Sequence, residues 1–565
     1  MKSKIKSFVL PGAVSLLFMA IYFYLAIPAI NIRSSGLYFM IILTALVYIA
    51  VYSAINRTSL FVKVARIISK LNEASSNKNV KKQSNVEYVF DQNGKKVNDV
   101  VIGKKTKIAL IIVGIVLAVF LIVCIVTSSK IFRAQKYQSM LSVTESDFAL
   151  DIAEMPLTQI PIVDKGTAER LGSRKIGEVV ELVSQFNVAT YYSQINYNDK
   201  PFRVSPLEYA DILKWLSNKD DGIPYYISID MATQQTELVK LSEGMKYSPS
   251  EYFARDLERH IRFAYPTKMF ENLSFEVDDN GNPYWVMSYY TYTIGIFGGK
   301  DIAGIILVDA VTGETSDYPV SEIPQWIDLA YSPELIIDQA NNWGSLVNGF
   351  INSIFVQKGV VVTTEGYNYI AVDDDVWLYT GITSVSSDES NIGFILINMR
   401  TKQAKTYMIN GAEEYSAMDS AEGQIQEKGY EATFPILINV ADRPTYFISL
   451  KDNAGLVKAY AFVSVADYQI VGVADTIAGA NAEYIRMLGI ESNPEDNGEA
   501  VQVSGSVSAI ATAVVNGNSV YYIRIADDIY TADISVSDML PFLNVGDSVT
   551  VTVVNGAIKE ITVGE

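Results

Sequence analysis

Three stretches of this chain are long, apolar and free of charge: residues 8–30, 37–55 and 108–126. Each holds 19 to 23 residues, enough to cross a hydrocarbon layer of about 30 Å as a helix rising about 1.5 Å per residue. A cleaved leader is the competing reading of the first. Its apolar region is longer than the roughly 7–15 residues of a leader, and a second span follows almost at once. Pro11 and Pro28 are expected near the ends of this span, where a missing N–H is tolerated. The chain is therefore expected to begin with a retained transmembrane hairpin, 1–56, followed by a third transmembrane helix, 108–130.

Basic residues beside the spans set the expected orientation. Lys2, Lys4 and Lys6 precede the first span without an acid, and the turn at 31–36 carries only Arg33. Segment 57–107 is strongly basic: the loop from Arg57 to Lys107 holds twelve Lys or Arg against Glu73, Glu87, Asp91 and Asp99. The positive-inside bias places the N-terminus and this loop in the cytoplasm, and an odd number of spans then puts the rest outside the cell. Residues 131–565 carry 28 basic and 59 acidic groups, a net of −31. Neither nucleic acid nor anionic lipid is attracted to such a body as a whole. Cys124 is the only cysteine and lies in the third span. An exported region without disulfides points to a bacterial envelope protein, multi-pass in the cell membrane.

Within the loop, Leu60, Phe61, Val64, Ile67, Ile68 and Leu71 recur at helical spacing with basic residues between them. A basic amphipathic helix on the inner leaflet and an ordinary packed helix both fit. A small hairpin is expected around Asn93-Gly94.

The exported region repeats itself. Residues 226–237, 305–316 and 394–405 align without gaps. Each has an apolar strand, then Asp or Asn, then Thr three places on, then a polar strand. The turn positions are Asp230 and Thr233, then Asp309, Thr312 and Gly313, then Asn398 and Thr401. An acid or amide that caps its own turn, with Thr or Gly beyond it, is hairpin chemistry, so these seven residues are read as structural. The spacings, 79 and 89 residues, give the length of one unit. A decayed fourth hairpin is expected around Ala466-Asp467. Pro224, Pro283 and Pro444 each open a similar Tyr- or Phe-containing strand, and helices are expected at 249–263, 333–354 and 474–488.

On Val308-Asp309-Ala310-Val311-Thr312-Gly313-Glu314 the chain resembles PepSY domains, whose closing hairpin runs Val-Asp-Ala then Thr-Gly-Glu. The good match covers about 15 residues. It implies cystatin-like units of one helix on an antiparallel sheet, and a role in binding or restraining peptidases. The wider layout resembles bacterial membrane-anchored envelope proteins, and no activity carries over from them.

A polar linker is expected at 491–498. Beyond it, 499–565, five short strands with a small helix between the third and fourth resemble an OB-fold barrel, with hairpins at Asn516-Gly517 and Asn555-Gly556. Arg524 and Lys559 face eight acids in that module, so nucleic acid is excluded and a structural or protein-binding barrel is expected. The fold class is thus a membrane-anchored α+β chain: three N-terminal transmembrane helices, tandem antiparallel-sheet-plus-helix units over 131–490 and a C-terminal small β-barrel.

Chemistry is sparse. With one His and one Cys, a Cys/His zinc site is excluded, and a Ser-His-Asp set would have to use His260. That residue sits in an Arg- and acid-rich helical stretch and is read as structural. Asp278-Asp279-Asn280-Gly281 is read as a turn, and Asp373-Asp374-Asp375 leaves calcium open. The row Tyr289-Tyr290-Thr291-Tyr292 is read as cross-strand packing, with a glycan or peptide grip as the alternative. No catalytic residue, cofactor or metal is expected. The functional expectation is a non-catalytic binding, scaffold or peptidase-restraining module whose partner is another envelope protein or wall polymer. The alternative is a carboxylate-based hydrolase of cell-wall glycan, which needs two convergent acids in a cleft.

Overall fold

The structure is a computed structural model and describes residues 2–55, 104–198, 200–372, 374–384, 390–489, 501–515, 518–526, 528–537, 539–554 and 556–564. The basic loop with its amphipathic stretch and Asn93-Gly94, Asp373, the 491–498 linker, and the turn residues Asn516, Gly517 and Asn555 lie outside the described residues.

Three helices are long and apolar enough to cross a membrane: α1 (Lys2–Ala26), α2 (Ser35–Ile55) and α3 (Lys104–Ser128). The first stops four residues short of the expected Ile30. Pro28 disfavours helical geometry in the residue before it, and Ile27 turns to φ 39°. Pro11, expected near an end, lies inside α1. Ring pairs Phe8–Tyr52 and Tyr22–Phe39, at 5.3 and 6.3 Å, hold α1 against α2. A fourth helix, α4 (Lys130–Gln138), follows α3 after a break at Ser129, whose side chain caps it.

Residues up to Tyr484 form one compact body and the remainder a second. In the first, a helix followed by a four-step antiparallel meander occurs four times. The opening helices are Lys165–Gly177, Leu257–Ala264, Pro333–Ser345 and Glu414–Gln424. In the first, third and fourth sheets the opening step is broken into two short strands, and in every sheet the strands then pair in chain order. The short strand Val143–Glu145 adds a parallel edge to the third sheet beside Ala404–Tyr407. Faces of the second and third sheets share one apolar core with the Pro333–Ser345 helix, around Val286, Ile305, Ile336, Leu378 and Ile397.

Two opening helices escape sequence periodicity for a physical reason. Lys165–Gly177 buries Thr167, Ala168, Gly172 and Ile176, and Glu414–Gln424 buries Ala417 and Ala421. Faces this small carry little hydrophobic signal. Gly172 is required because the Tyr192 hydroxyl occupies the space of a Cβ there. Of the expected helices, 249–263 begins late, at Leu257, with the Asp256 carboxylate accepting the Arg259 N–H as its cap. The 333–354 helix ends at Ser345.

The three repeated hairpins are built alike. Asp230 Oδ1 accepts the N–H of Ala232 and Thr233, Asp309 Oδ1 those of Val311 and Thr312, and Asn398 Oδ1 those of Arg400 and Thr401, all at 2.8–2.9 Å. In each, the Thr hydroxyl accepts the N–H two residues on. Opposite the capping residue on the neighbouring strand stands an aromatic ring: Phe202, Tyr284 and Trp377. The fifth turn position has positive φ in all three, 63° at Gln234, 77° at Gly313 and 64° at Lys402. Only glycine adopts that geometry without penalty. Gln234→Gly is therefore expected to stabilise the chain by about 0.5–1 kcal/mol, read as a raised denaturation midpoint; a lowered midpoint would refute the shared-turn argument. The fourth connection, at Asp467, has Ile470 where the others have Thr and caps only Gln469.

The C-terminal body is a closed barrel of Val501–Val515, Asn518–Ile525, Asp528–Asp533, Ala557–Val563 and Ser548–Val554, in that spatial order. Val507, Ile523, Ile525, Leu540, Val551 and Ile558 fill it. The expected helix between the third and fourth strands is two single 3₁₀ turns, Ile534–Val536 and Leu540–Phe542.

Candidate functional site

The residues singled out in the sequence fall into place as structural parts. His260 Nε2 lies 2.8 Å from the Gly313 carbonyl, with Tyr247 packed on its ring; it braces the second hairpin turn. Asp278 accepts the N–H groups of Asn280 and Asn282 and so closes the expected turn. Asp375 receives both Arg400 Nε and Nη2, at 2.7 and 2.8 Å, and Asn398 Nδ2. Asp374 accepts from Asn196 and Gln325. Among the described residues no group of three or more His, Cys, Asp or Glu is placed to hold a metal. In the tyrosine row, the Tyr289 hydroxyl donates to Asp317 and the Lys268 ammonium sits over its ring, while Tyr290 and Tyr292 pack edge to face. That row is packing.

Two features sequence reasoning missed lie where the four repeats meet. One is a cavity of about 520 Å³ lined by Tyr191 and Arg203 of the first repeat, Tyr331, Tyr367 and Tyr369 of the third and Phe434 of the fourth. Arg203 is 7% exposed. Its Nε donates to the Val163 carbonyl and its Nη2 to Gln194 Oε1. Neither partner is charged. The nearby acid Asp164 is taken by Lys451, at 2.6 Å, and by the N-terminus of the Lys165–Gly177 helix. Burial pulls the Arg203 pKa below the usual guanidinium range, against the smaller opposing pull of Tyr369, Asp164 and Glu169. A buried cation held only by neutral oxygens has attraction to spare for an anion entering the cavity.

The other is a buried acid pair beneath it. Glu276 and Asp328 are 0% and 1% exposed. Glu276 accepts the N–H of Asp328 at 2.8 Å, the N–H of Leu329 and the hydroxyl of Ser274. Asp328 Oδ2 accepts the Asn196 N–H, and its Oδ1 has no partner among the described residues. Burial raises the Glu276 pKa to about 7. Burial, with the Glu276 charge beside it, raises Asp328 as well. A carboxyl raised as Glu276 is matches the general acid of a glycan hydrolase. The access does not: neither carboxylate lines the cavity, and the wall between them and it is Ser274 and Leu329.

No family model matches the chain, and no curated protein matches it. Among solved structures, a mutant levansucrase of B. megaterium aligns at 9% identity and a TM-score of 0.18, covering 76% of this chain and 96% of that one. A levansucrase mutant complexed with sucrose gives 9% and 0.18, over 75% and 97%. One from Bacillus subtilis gives 9% and 0.16, over 74% and 96%. Scores of this size carry neither fold nor function to this chain.

Proposed function

We propose that the chain is a membrane-anchored bacterial envelope protein. In this reading its N-terminus is cytoplasmic, its large C-terminal region is extracellular, and its exported repeats act as a non-catalytic binding module. The apolar surfaces of α1–α3 support the anchor: Leu17 and Leu25 are more than 60% exposed, as are few residues of a water-soluble core. The observation that carries the binding reading is the contrast at the junction of the repeats. The open cavity is built of aromatic rings around a buried arginine whose hydrogen bonds all go to neutral oxygens, with Asp164 and Glu334 also in its lining, whereas the one raised acid pair seen among the described residues is sealed.

Rings and an arginine suit an extended ligand with a carboxylate or other anionic group, such as a segment of another envelope protein, a peptidase among them, or wall polymer. The PepSY-like hairpin at Val308–Glu314 points to the same class of role. A photoreactive phenylalanine in place of Tyr367, in the full chain in native membranes, tests it. The expected result is a crosslinked adduct that falls at least tenfold when Arg203→Met is added. Release of soluble fragments from purified wall by the wild type, abolished by Glu276→Gln, would instead establish the hydrolase.

A further inference from the structure

Averaged over the exported region, charge is strongly negative, yet four of its segments run the other way. Residues 130–138, 212–219, 255–268 and 346–358 together carry ten Lys or Arg and only two acids, Asp256 and Glu258. The same four segments display large apolar side chains to solvent. Leu213 is 70% exposed, Phe253, two residues before the third segment, 63%, and Phe355 76%. Phe132, Phe263 and Ile351 are exposed with them.

Contacts tie these segments to the ends of two of the three apolar helices, α1 and α3. The Phe263 ring packs on Phe23 and Tyr24 of α1, at 5.7 and 6.3 Å. Arg259 lies over the Tyr24 ring and donates to the Tyr24 carbonyl, and Arg262 donates to that of Ile27. Trp215, on the 212–218 helix, packs on Tyr252 and Phe253. On the other side, the Tyr137 hydroxyl donates to the Ser128 carbonyl at the end of α3. Tyr137 and Ile294 share an apolar cluster with Leu346 and Phe350, the start of the segment that ends in Phe355 and Val356. The apolar and basic side chains therefore form a collar beside the point where α1 and α3 leave their apolar run.

We propose that this collar is a lipid-binding surface. It seats the first three repeats on the outer face of the bilayer, with Leu213, Phe253, Phe263, Ile351 and Phe355 in the acyl–headgroup boundary and the basic side chains of these segments that are neither buried nor paired with an acid, Arg133, Lys136, Lys214 and Lys358 among them, near anionic headgroups. Two independent observations choose lipid over a protein partner: continuity with the apolar helices, and a local excess of basic over acidic residues in the segments that carry the exposed rings and leucines. The proposal rests on the anchored reading above.

The test uses the full chain, Cys124→Ala, reconstituted in nanodiscs containing anionic lipid. Single cysteines at Phe355, Leu213, Thr233 and Leu46 carry an environment-sensitive fluorophore. Lipids with a nitroxide near the headgroup are expected to quench the Phe355→Cys and Leu213→Cys labels at least twofold and to leave Thr233→Cys unchanged. Lipids with a deep nitroxide are expected to quench Leu46→Cys on α2. Quenching at Leu46 without quenching at Phe355 and Leu213 overturns the collar and leaves the anchor standing. Loss of quenching at Leu46 overturns the anchor and the collar with it.

Discussion

Trp285→Ala is expected to cost about 4 kcal/mol of stability. The indole is wholly buried on the second strand of the second repeat. It stacks edge to face on Phe275 of its own sheet at 5.2 Å and on Tyr191 of the first repeat at 5.3 Å. Its Nε1 donates to the Tyr247 carbonyl at 2.9 Å. Truncation leaves a cavity, costing about 3–5 kcal/mol at buried aromatic sites. It also orphans an acceptor at about 1–3 kcal/mol where no water replaces the donor. Because Tyr191 also lines the aromatic cavity, ligand crosslinking should fall with stability. Trp285→Phe keeps most of the ring area and loses the hydrogen bond, so it is expected to cost markedly less. Denaturant unfolding of the detergent-solubilised chain measures both; a loss below about 1 kcal/mol for the alanine variant would remove Trp285 as the tie between repeats.

Stability is also expected to fall between pH 4.5 and pH 8. The sign follows from proton counts. Glu276 has a folded pKa raised to about 7, so between its unfolded value and 7 the folded chain holds a proton that the unfolded chain has released. The Glu276 contribution to stability therefore declines through that window and is constant above it. A shift of this size corresponds to roughly 3 kcal/mol, and Asp328, raised in the same direction, adds to it. Asp328→Asn is expected to flatten the profile and raise stability at pH 8 by about 1–2 kcal/mol. It removes one of two like charges buried side by side. Glu276→Gln should not do the same, because its oxygens already accept three donors and an amide would turn one of them against an N–H. Unfolding midpoints at pH 5 and pH 8 for the three proteins decide it. A flat wild-type profile, or a destabilised Asp328→Asn at pH 8, would sink the account of the pair.

Much of the architecture was legible because it is written in local chemistry. The three apolar helices need only length and the absence of charge. The hairpins of Asp309 and its sisters need only a side chain that caps the next two N–H groups. The barrel strands alternate so plainly that three of the five, 501–515, 548–554 and 557–563, begin and end where the sequence places them, and the other two, expected at 519–525 and 528–534, differ by one residue at one end, although two 3₁₀ turns replace the expected helix. What escaped was carried by small buried faces, as in Glu414–Gln424, where two alanines do the packing.

The cavity was illegible for another reason. Tyr191, Arg203, Tyr331, Tyr367 and Phe434 come from three repeats and from five places in the chain, none with a neighbour that marks it. The row at Tyr289–Tyr292, which does stand out, is packing. Charge behaved the same way: the acidic average is a property of composition, while the basic collar exists only because folding gathers four separated segments. Short-range patterns fixed the elements, since caps, turns and periodicity act between residues a few places apart. The surfaces able to hold a ligand or a lipid were decided by tertiary structure, because their parts become neighbours only once the sheets pack.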